Sequence, residues 1–408
     1  MKRKIVKMMK KRVLIASYNM IIGGSTTALI GLLNSINYEK YEVDLVLYKN
    51  EGDLFNFIPK HINVLPQAFL CEGKFGKIKK YILGLTSGYL LKGTIENFKI
   101  HKFGVSQQVL YEFQVQKLSR KINKKYDVAI GFLEGWADRF IITNVNANIK
   151  IGWLHSTFSK IGIIPKLEFS WLNDVDKIVF VAESCKIDFL KKYPLYKNKT
   201  YFIPNIIDAN YIKKCAKKLD LDDVSFNRFF ESSALKIITV CRLSIETKGL
   251  DRIVLAAEKL KKKGYSFLWI IVGDGDDRTE FQKMIEAHSL TDVIFLAGAR
   301  MNPYPFLAIA DLMCMPSRWE GMPSAVTEAK ILGTPSLVTE YLSAHEQILN
   351  GIEGIIVKNQ NDSIFEKLEW CINNKEKLKE MRKYLLEHHY GTENIFTFIE
   401  KNLFGKNF

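Results

Sequence analysis

Cysteine is scarce in this chain, and its placement excludes two classes of stabilised site. The six cysteines among 408 residues stand singly, with no Cys-x-x-Cys pair and no cluster. Structural zinc sites and disulfide frameworks both need closely spaced cysteines, so neither is expected. Several of the six lie in apolar runs, where a free thiol behaves as a small hydrophobic side chain. We therefore expect a reducing compartment and a fold stabilised by apolar cores.

Long apolar runs are absent as well. No stretch of about eighteen apolar residues occurs, so no membrane-spanning helix is expected. Near the start only Val13 to Ala16 form an unbroken apolar run, and polar residues follow at once, so a signal peptide is not expected. The composition, 47% hydrophobic and 25% charged, is that of a folded globular protein. A chain of 408 residues is too long for one ordinary core, which predicts two domains.

Acidic residues are few in the first half. Residues 1–204 contain 32 Lys and Arg against 16 Asp and Glu, whereas the remainder contains 27 against 28. The net charge of +15 therefore belongs to the first half. Such a surface attracts anionic lipid headgroups or nucleic acid. A basic surface that is merely well solvated explains the same composition.

What the chain does contain is a regular alternation of short β-branched runs with longer amphipathic stretches. This pattern is typical of parallel α/β layers. Two sets of six strands predict two doubly wound domains facing a cleft, residues 1–204 and 205–390, with a C-terminal segment 391–408 whose apolar face packs back on the protein. The predicted strands are Arg12–Ala16, Glu42–Leu47, Asp127–Phe132, Lys150–Leu154, Lys177–Val181, Thr200–Ile203, Lys236–Val240, Phe267–Val272, Val293–Leu296, Leu312–Met315, Ser336–Val338 and Gly354–Val357.

The loop after the first predicted strand carries the paired glycines Gly23 and Gly24 and opens a predicted helix. Paired glycines let the backbone approach an anion closely, and a helix start presents free N–H groups. An ordinary tight turn uses the same residues. The pair alone is therefore weak evidence for a ligand site.

Polar and aromatic side chains follow two other strands of the first half. His155 comes just after Lys150–Leu154, at the edge of an open α/β sheet where ligands bind. It can donate to a sugar hydroxyl or transfer a proton, although a histidine bonded to local backbone fits equally. Glu134, Trp136 and Asp138 could contact an acceptor sugar, and Trp136 fits a core position just as well.

In the second half, two cations flank one strand-to-helix loop. Arg242 and Lys248 stand six residues apart after Lys236–Val240 and can converge on a pyrophosphate. Solvated surface cations would have the same spacing. Gly273, at the end of the next strand, fits a tight turn close to a ligand.

The most informative segment follows the strand Leu312–Met315 and runs from Pro316 to Ala329. It predicts a helix with Ser324 as its N-cap. Glu320 lies before this helix and Glu328 lies within its first turns. The unpaired N–H groups between them can receive a diphosphate, with one carboxylate facing a hexose and the other a ribose diol.

In order and spacing, these motifs resemble a family 4 retaining glycosyltransferase of the bacterial polysaccharide branch. The resemblance covers nearly the whole chain and implies a GT-B fold and a nucleotide-diphosphate sugar as donor, with UDP favoured as the nucleotide. The matching positions are Gly23-Gly24, His155, Pro204-Asn205, Arg242, Lys248-Gly249, Gly273-Asp274-Gly275, Glu320 and Glu328.

The resemblance also implies a role for each matching residue. Arg242 and Lys248 would grip the donor diphosphate, while Glu320 and His155 would contact the transferred sugar. Glu328 would hold the ribose hydroxyls. The further donor-binding positions implied are Gly23, Gly24, Gly273, Gly321, Met322, Pro323, Ser324 and Ala325, with Gly298, Ala299 and Arg300 at the base pocket.

The chain departs from the family pattern at two places. Cys241 stands where the family often has Gly, and Thr339–Leu342 replaces a common Gly-Gly pair, which leaves the sugar contacts near Ala344–Glu346 open. The motif of the metal-dependent transferases is not evident. No metal or other cofactor is therefore expected, and Arg242 and Lys248 would take the role of the cation.

The mechanism expected from this resemblance is attack by an acceptor hydroxyl on the face from which the diphosphate leaves. The acceptor would be a glycan or a lipid-diphosphate-linked sugar. Lys74, Lys77, Lys79 and Lys80, next to apolar residues that extend to Leu91, predict contact with an anionic membrane at its cytoplasmic face. A solvated helix face is the alternative.

Two other functions remain open at this level. A sugar-nucleotide 2-epimerase shares the fold and needs no acceptor. A basic nucleic-acid-binding protein would explain the charge of the first half, but the chain lacks a recognisable nucleic-acid recognition module. Nucleic acid is therefore not expected as a partner.

Overall fold

The computed structural model describes residues 9–70, 119–160, 171–218 and 224–405. They form two parallel sheets, one of seven strands and one of six. In the first sheet the strand order is β3-β2-β1-β4-β5-β6-β7, and in the second it is β10-β9-β8-β11-β12-β13. Both are doubly wound sheets with helices in the crossovers, so the predicted fold class, two Rossmann-like units in a GT-B arrangement, is confirmed.

The first sheet is built by residues 11–202. Its strands are β1 (Lys11–Ser17), β2 (Tyr41–Leu47), β3 (Asn63–Val64), β4 (Ile122–Gly131), β5 (Val145–Leu154), β6 (Lys177–Phe180) and β7 (Thr200–Phe202). Its helices are α1 (Gly24–Ser35), α2 (Trp136–Asn144) and α3 (Glu183–Lys192).

The second sheet is built by residues 235–357. Its strands are β8 (Leu235–Val240), β9 (Phe267–Val272), β10 (Ile294–Gly298), β11 (Leu312–Met315), β12 (Ser336–Thr339) and β13 (Gly354–Val357). The helices from residue 209 onward are α4 (Ala209–Ala216), α5 (Val224–Glu231), α6 (Ile245–Lys248), α7 (Leu250–Lys262), α8 (Arg278–Ala287), α9 (Tyr304–Ile309), α10 (Ser324–Ile331), α11 (Ala344–Gln347), α12 (Asn361–Asn373), α13 (Lys375–Glu387) and α14 (Phe396–Leu403).

Successive residues of a strand point to opposite faces, and this places two apolar layers on the first sheet. Val13 and Ile15 of β1 belong to the core cluster that includes α1. Leu14 and Ala16 belong to the cluster that includes α2. A strand covered on both faces needs a continuous apolar run, which is why the central strands are apolar throughout.

The twelve predicted strands are all present, with ends that shift by up to five residues. The short edge strand Asn63–Val64 escapes prediction because two residues carry no periodicity. β4 begins at Ile122, five residues ahead of the predicted Asp127. The prediction missed this start because residues 123–125 are polar and at least partly exposed. The predicted apolar core of each strand is therefore right, while the polar ends are set by pairing with neighbours.

The last helix, α14, returns to the first sheet. Phe396, Ile399 and Leu403 pack in the core cluster that also contains Val43. The ammonium group of Lys177 donates to the carbonyl oxygens of Asn402 and Leu403 at 2.6 and 2.9 Å, next to the C-terminus of the helix. Two parts of the chain far apart in sequence thus form one packed layer.

Not every apolar side chain of this helix packs against the protein. Phe398 is 44% exposed and so lies on the solvent side. The three residues that pack, Phe396, Ile399 and Leu403, are spaced three and four apart and share one face.

Two segments cross between the sheets side by side. In the first, Asn205 and Ile207 follow β7; in the second, Thr392 precedes α14. The Thr392 hydroxyl donates to the Asn205 carbonyl at 2.7 Å and accepts from the Ile207 N–H at 2.8 Å. Glu393 accepts from the Ala209 N–H at 2.7 Å. The domain boundary predicted between residues 204 and 205 lies at the first of these two crossings. Within the described ranges, no helix combines the length and apolarity that a membrane crossing requires.

Candidate active site

The loops after the strands of both sheets meet in one region. Gly24, at the start of α1, lies so close to α10 that a Cβ atom there would be 3.0 Å from the Ser324 hydroxyl oxygen. The neighbouring Gly23 has extended backbone, and a Cβ atom there would meet the Ile21 carbonyl oxygen at 4.0 Å. The start of the first helix of one sheet therefore faces the start of α10 in the other.

A partly buried ion pair lies on the side of the second sheet. The Lys248 ammonium nitrogen is 2.6 Å from Oε1 of Glu320, and their side chains are 17% and 9% exposed. Lys248 is the last residue of α6, after β8, and Glu320 follows β11. These two strands are neighbours in the sheet, so the sequence-predicted cation and carboxylate meet although 72 residues separate them.

Both donors of this site reach the same oxygen of Glu320. The Ser317 hydroxyl, fully buried, also donates to Oε1, at 2.6 Å. No hydrogen bond to Oε2 is found in the described part of the chain. A carboxylate that is held through one oxygen leaves the other available to accept from a ligand hydroxyl.

Arg242 completes a positive region next to this pair. It is exposed on the loop after β8 and has no ion-pair partner among the described residues. The thiol of Cys241 lies within electrostatic reach of Lys248, Glu320 and Arg242. Burial raises the pKa of this thiol to about 12, and the two cations oppose that rise. Cys241 is thus a neutral side chain at the centre of three charged ones.

The loop after β9 supports the loop that carries Arg242. Leu243 N–H donates to the Asp274 carbonyl at 2.9 Å, and Gly273 packs against the Cys241 carbonyl. Gly273 N–H in turn donates to the Gly298 carbonyl at 2.9 Å, at the end of β10. The predicted positions at Gly273 and Gly298 are therefore adjacent, and Arg300 lies beside the backbone of Gly298. Ala299 is exposed between Gly298 and Arg300.

Glu328 is buried in α10, with 5% of its surface exposed. Burial raises the pKa of its carboxyl group to about 7, and a hydrogen bond from Ser324 opposes the rise. The predicted N-cap is one residue off: Ser324 is the first helical residue and Pro323 occupies the cap position. Ser324 instead places its hydroxyl toward Glu328, and Ala325 follows it in the first turn.

His155 lies at the end of β5, where it was predicted. Its backbone N–H donates to Glu134 at 2.8 Å. Its ring nitrogen Nε2 is buried and has no hydrogen-bond partner in the described ranges. Burial lowers the pKa of the imidazole to about 3, so the ring is neutral at physiological pH. A buried ring nitrogen without a partner is a group that a ligand hydroxyl can satisfy.

The His155 loop packs directly on the Glu320 loop. A Cβ atom at Gly321 would be 2.0 Å from the His155 carbonyl oxygen, so only glycine fits at that position. The Thr157 hydroxyl donates to the Glu320 carbonyl at 2.8 Å. Met322 packs against apolar clusters of the first sheet. The segment that carries Glu320 is therefore held from both sheets.

Two of the three predicted acceptor residues need correction. Trp136 is 1% exposed and Asp138 is 0% exposed. The Trp136 ring stacks on Phe140 at a centroid distance of 4.8 Å, and its indole N–H donates to Ser119 at 3.0 Å. Both side chains are thus inside the first half of the chain, because helix α2 turns them toward the sheet. Glu134 is partly exposed and bonded to His155.

Three residues of this region were not predicted from the sequence. Ser317 and Thr157 bond to Glu320, and Glu346 bonds across to the first half. The Glu346 carboxylate accepts from the backbone N–H groups of Glu183 and Ser184 at 2.8 and 2.9 Å, at the start of α3. Ser317 had a sequence signal, because it stands three residues before Glu320 in the same loop, and Glu346 lies in the segment whose sugar contacts the sequence left open.

Metal ligands were also sought among the described residues. No group of three or more His, Cys, Asp and Glu side chains is arranged there to hold a metal ion. The predicted membrane-contact lysines, Lys74, Lys77, Lys79 and Lys80, lie outside the described residues.

Comparison with known proteins connects this geometry to a family. Residues 222–388 match the family described as glycosyl transferases group 1. An uncharacterized glycosyltransferase of Methanocaldococcus jannaschii is 27% identical over 283 residues, which are 64% of this chain and 68% of that protein. The poly(ribitol-phosphate) alpha-N-acetylglucosaminyltransferase of Staphylococcus aureus is 24% identical over 262 residues, 62% of this chain and 49% of that protein.

A solved structure extends the likeness to both sheets. HepE of Anabaena in complex with UDP superimposes with a TM-score of 0.64 at 16% identity. The superposition covers 93% of this chain and 94% of HepE. At that identity the likeness establishes the shared fold.

Proposed function

We propose that this chain, whose residues 222–388 match the family of group 1 glycosyl transferases, is a glycosyltransferase that takes its sugar from a UDP-sugar donor. HepE, which has the same fold, has been crystallised with UDP and with UDP-glucose. The region between the sheets offers what such a donor needs: cations for the diphosphate, a buried carboxylate for the ribose and a second carboxylate for the sugar. The transferred sugar is a hexose or an N-acetylhexosamine.

The observation that carries this proposal is the arrangement around Glu320. Lys248 and Ser317 hold Oε1, which leaves Oε2 to accept from a sugar hydroxyl. Lys248 and Arg242, which both interact electrostatically with Cys241 on the loop after β8, are proposed to bind the donor diphosphate. His155, neutral and with an unsatisfied Nε2, belongs to the loop of the first sheet that packs on Gly321, next to Glu320.

The proposed reaction retains the configuration of the anomeric carbon. The acceptor oxygen forms a bond to that carbon on the face from which the diphosphate oxygen departs, and the acceptor proton passes to the departing phosphate oxygen. Negative charge builds on the diphosphate, and Arg242, Lys248 and the N–H groups at the start of α10 stabilise it. Fixed cations of this kind supply the charge stabilisation without a metal ion.

The acceptor is proposed to be a glycan or a lipid-diphosphate-linked sugar. The related enzyme of Staphylococcus aureus is named for transfer to poly(ribitol-phosphate), which supports a cell-surface polymer. The basic first half supports docking on the anionic cytoplasmic face of the cell membrane. Co-sedimentation with vesicles of neutral lipid and of neutral lipid plus anionic lipid tests this, and binding that does not change with anionic lipid content would contradict it.

A donor screen tests the proposed function. The full chain is incubated with UDP-Glc, UDP-Gal, UDP-GlcNAc, UDP-GalNAc or GDP-Man, with and without sugar acceptors, and nucleotide release and thermal shift are measured. Acceptor-dependent UDP release and a product with the anomeric configuration of the donor are expected, unchanged by EDTA. Conversion of a UDP-sugar without acceptor would instead indicate the 2-epimerase, and loss of turnover in EDTA would overturn the metal-free proposal.

A further inference from the structure

Arg318 makes an unusual number of contacts for a partly exposed side chain. Its guanidinium group binds Asp251 through two parallel bonds, Nη1 to Oδ1 at 2.9 Å and Nη2 to Oδ2 at 2.6 Å. Nη1 also donates to the carbonyl oxygens of Ile245 and Glu246 at 3.2 and 3.0 Å. The two charged side chains are 26% and 24% exposed.

These contacts join the two segments that carry the partly buried ion pair. Arg318 stands two residues before Glu320. Ile245 and Glu246 belong to α6, which ends at Lys248, and Asp251 lies in the first turn of α7. The Arg318 side chain therefore ties the loop of the carboxylate to the helical turn of the cation.

The backbone around Arg318 is held in the same way. Its N–H donates to the Thr247 carbonyl at 2.9 Å, and its carbonyl accepts from the Asn359 side chain at 2.8 Å. At Gly249 the backbone has φ +66°, and a Cβ atom would be 2.2 Å from the Pro316 carbonyl oxygen. The two segments thus approach at a distance that only glycine permits. The Arg318 guanidinium group bonds across this contact to α6 and to Asp251.

We propose that Arg318 and Asp251 are positioning residues that hold Lys248 and Glu320 in their productive arrangement. The inference rests on the proposed function, because it assigns to the pair Lys248 and Glu320 the donor diphosphate and sugar. An Arg–carboxylate pair with two parallel bonds fixes direction as well as distance. Catalytic groups lose efficiency when displaced by about 1 Å, on the order of 100-fold in rate.

The protonation state of Asp251 agrees with this role. Burial alone would raise the pKa of its carboxyl group, but the hydrogen bond and charge of Arg318 outweigh burial and lower the pKa below its ordinary value. The pair therefore stays ionised over the range in which an enzyme works. The alternative is that Arg318 and Asp251 form a surface ion pair that contributes little to stability or to catalysis.

A double-mutant cycle separates the two readings. The single variants are Arg318→Met and Lys248→Ala, combined in one double variant, and each is measured for kcat, donor KM and calorimetric UDP affinity. We expect Arg318→Met to lower kcat by about 10- to 100-fold, with a smaller change in KM. In the Arg318→Met background, the loss of kcat caused by Lys248→Ala should be at least fivefold smaller than in the native chain, because the lysine is already displaced.

Matched variants make the cycle specific. Arg318→Lys keeps the positive charge but cannot form the two parallel bonds, so its kcat should lie between that of Arg318→Met and that of the native chain. Asp251→Asn should lower kcat as Arg318→Met does. The control is Lys259→Met, which removes a pair with Asp362 on the same helix, α7, at 44% and 74% exposure. That control should leave kcat unchanged and leave the full cost of Lys248→Ala intact.

The outcomes are distinguishable from failure of the proposed function. If the native chain binds UDP but transfers no sugar, the proposed function fails, while the UDP-affinity cycle still measures the coupling of Arg318 to Lys248. The positioning role would be overturned if the effects of the two substitutions on kcat were additive. It would also be overturned if Arg318→Met lowered only the melting temperature and kept native kcat at temperatures below it. A native chain that binds no UDP overturns both proposals.

Discussion

At the scale of single residues, the charged groups of the site differ in how many partners hold them in place. Glu320 has two donors on one oxygen, and Lys248 has one carboxylate partner. Arg242, in contrast, is exposed and has no ion-pair partner among the described residues. The positive charge of Lys248 is therefore held in place before any donor arrives, which is the arrangement that electrostatic preorganisation requires.

Lys248→Ala should lower kcat by on the order of 100-fold or more, because it removes a preorganised charge from the departing diphosphate. UDP release in the presence of acceptor measures it. Lys259→Ala is the matched control, since Lys259 is another lysine of the second half in an exposed ion pair. Native-like turnover in Lys248→Ala would contradict the assigned role.

Glu328 should make stability depend on pH. Its pKa in the folded state, about 7, lies above the ordinary 4.5, so the stability linked to its protonated form is present below pH 4.5 and is lost as pH rises through 7. The free energy of unfolding of Glu328→Gln, measured in denaturant without nucleotide, should therefore increase relative to the native chain by up to about 3 kcal/mol between pH 4.5 and 8. An equal pH profile for both proteins would show that the carboxylate ionises at its ordinary pKa.

At the scale of elements, the loop from Pro316 to Pro323 contacts the first sheet next to the candidate site. Thr157 binds the carbonyl of Glu320, and His155 packs on Gly321. Because loops carry function where a rigid framework positions them, the strands β5 and β11 act here as supports for one short segment.

Gly321→Ala should displace this segment, because its new Cβ atom would overlap the His155 carbonyl oxygen. We expect turnover to fall at least tenfold. Gly264→Ala provides the comparison: its backbone has φ +75° but nothing lies within 4 Å, so it should cost about 1 kcal/mol of stability with native turnover. Parallel losses of stability and turnover in both variants would argue against a site effect at Gly321.

At the scale of the whole molecule, the two sheets are joined by more than the paired crossing segments. Glu346 of α11 caps the start of α3 with both carboxylate oxygens, and the Ser184 hydroxyl adds a third bond at 2.8 Å. A carboxylate at a helix start gains from both the free N–H groups and the helix dipole. This contact holds the second half of the chain against the first at the edge of the cleft.

Glu346→Gln should weaken that contact by about 1 kcal/mol, which is a factor of about five in the equilibrium between joined and separated arrangements. Small-angle scattering should show a larger radius of gyration, and donor KM should rise several-fold. Glu340→Gln, which removes an exposed pair with His345 in the same segment, should change neither. An unchanged radius and KM in Glu346→Gln would mean that the crossing segments alone hold the halves together.

Local pattern was sufficient for some of this architecture. Apolar runs bounded by polar residues located the strands, because burial on both faces requires a continuous apolar run. The order of strands and loops then placed Arg242, Lys248, Glu320 and His155 at carboxyl ends of strands, where ligands bind in such sheets. The family resemblance assigned their roles.

What the sequence by itself determined was thus the set of elements and the candidate residues, since both depend on near neighbours in the chain. Only the tertiary structure decided which oxygen of Glu320 is held, that Trp136 belongs to a core, and that Arg318 and Glu346 tie distant segments together. The contacts of Arg318 with Asp251 and of Glu346 with Glu183 join residues 67 and 163 positions apart. They depend on how sheets and helices pack, and periodicity along the chain carries no information about that packing.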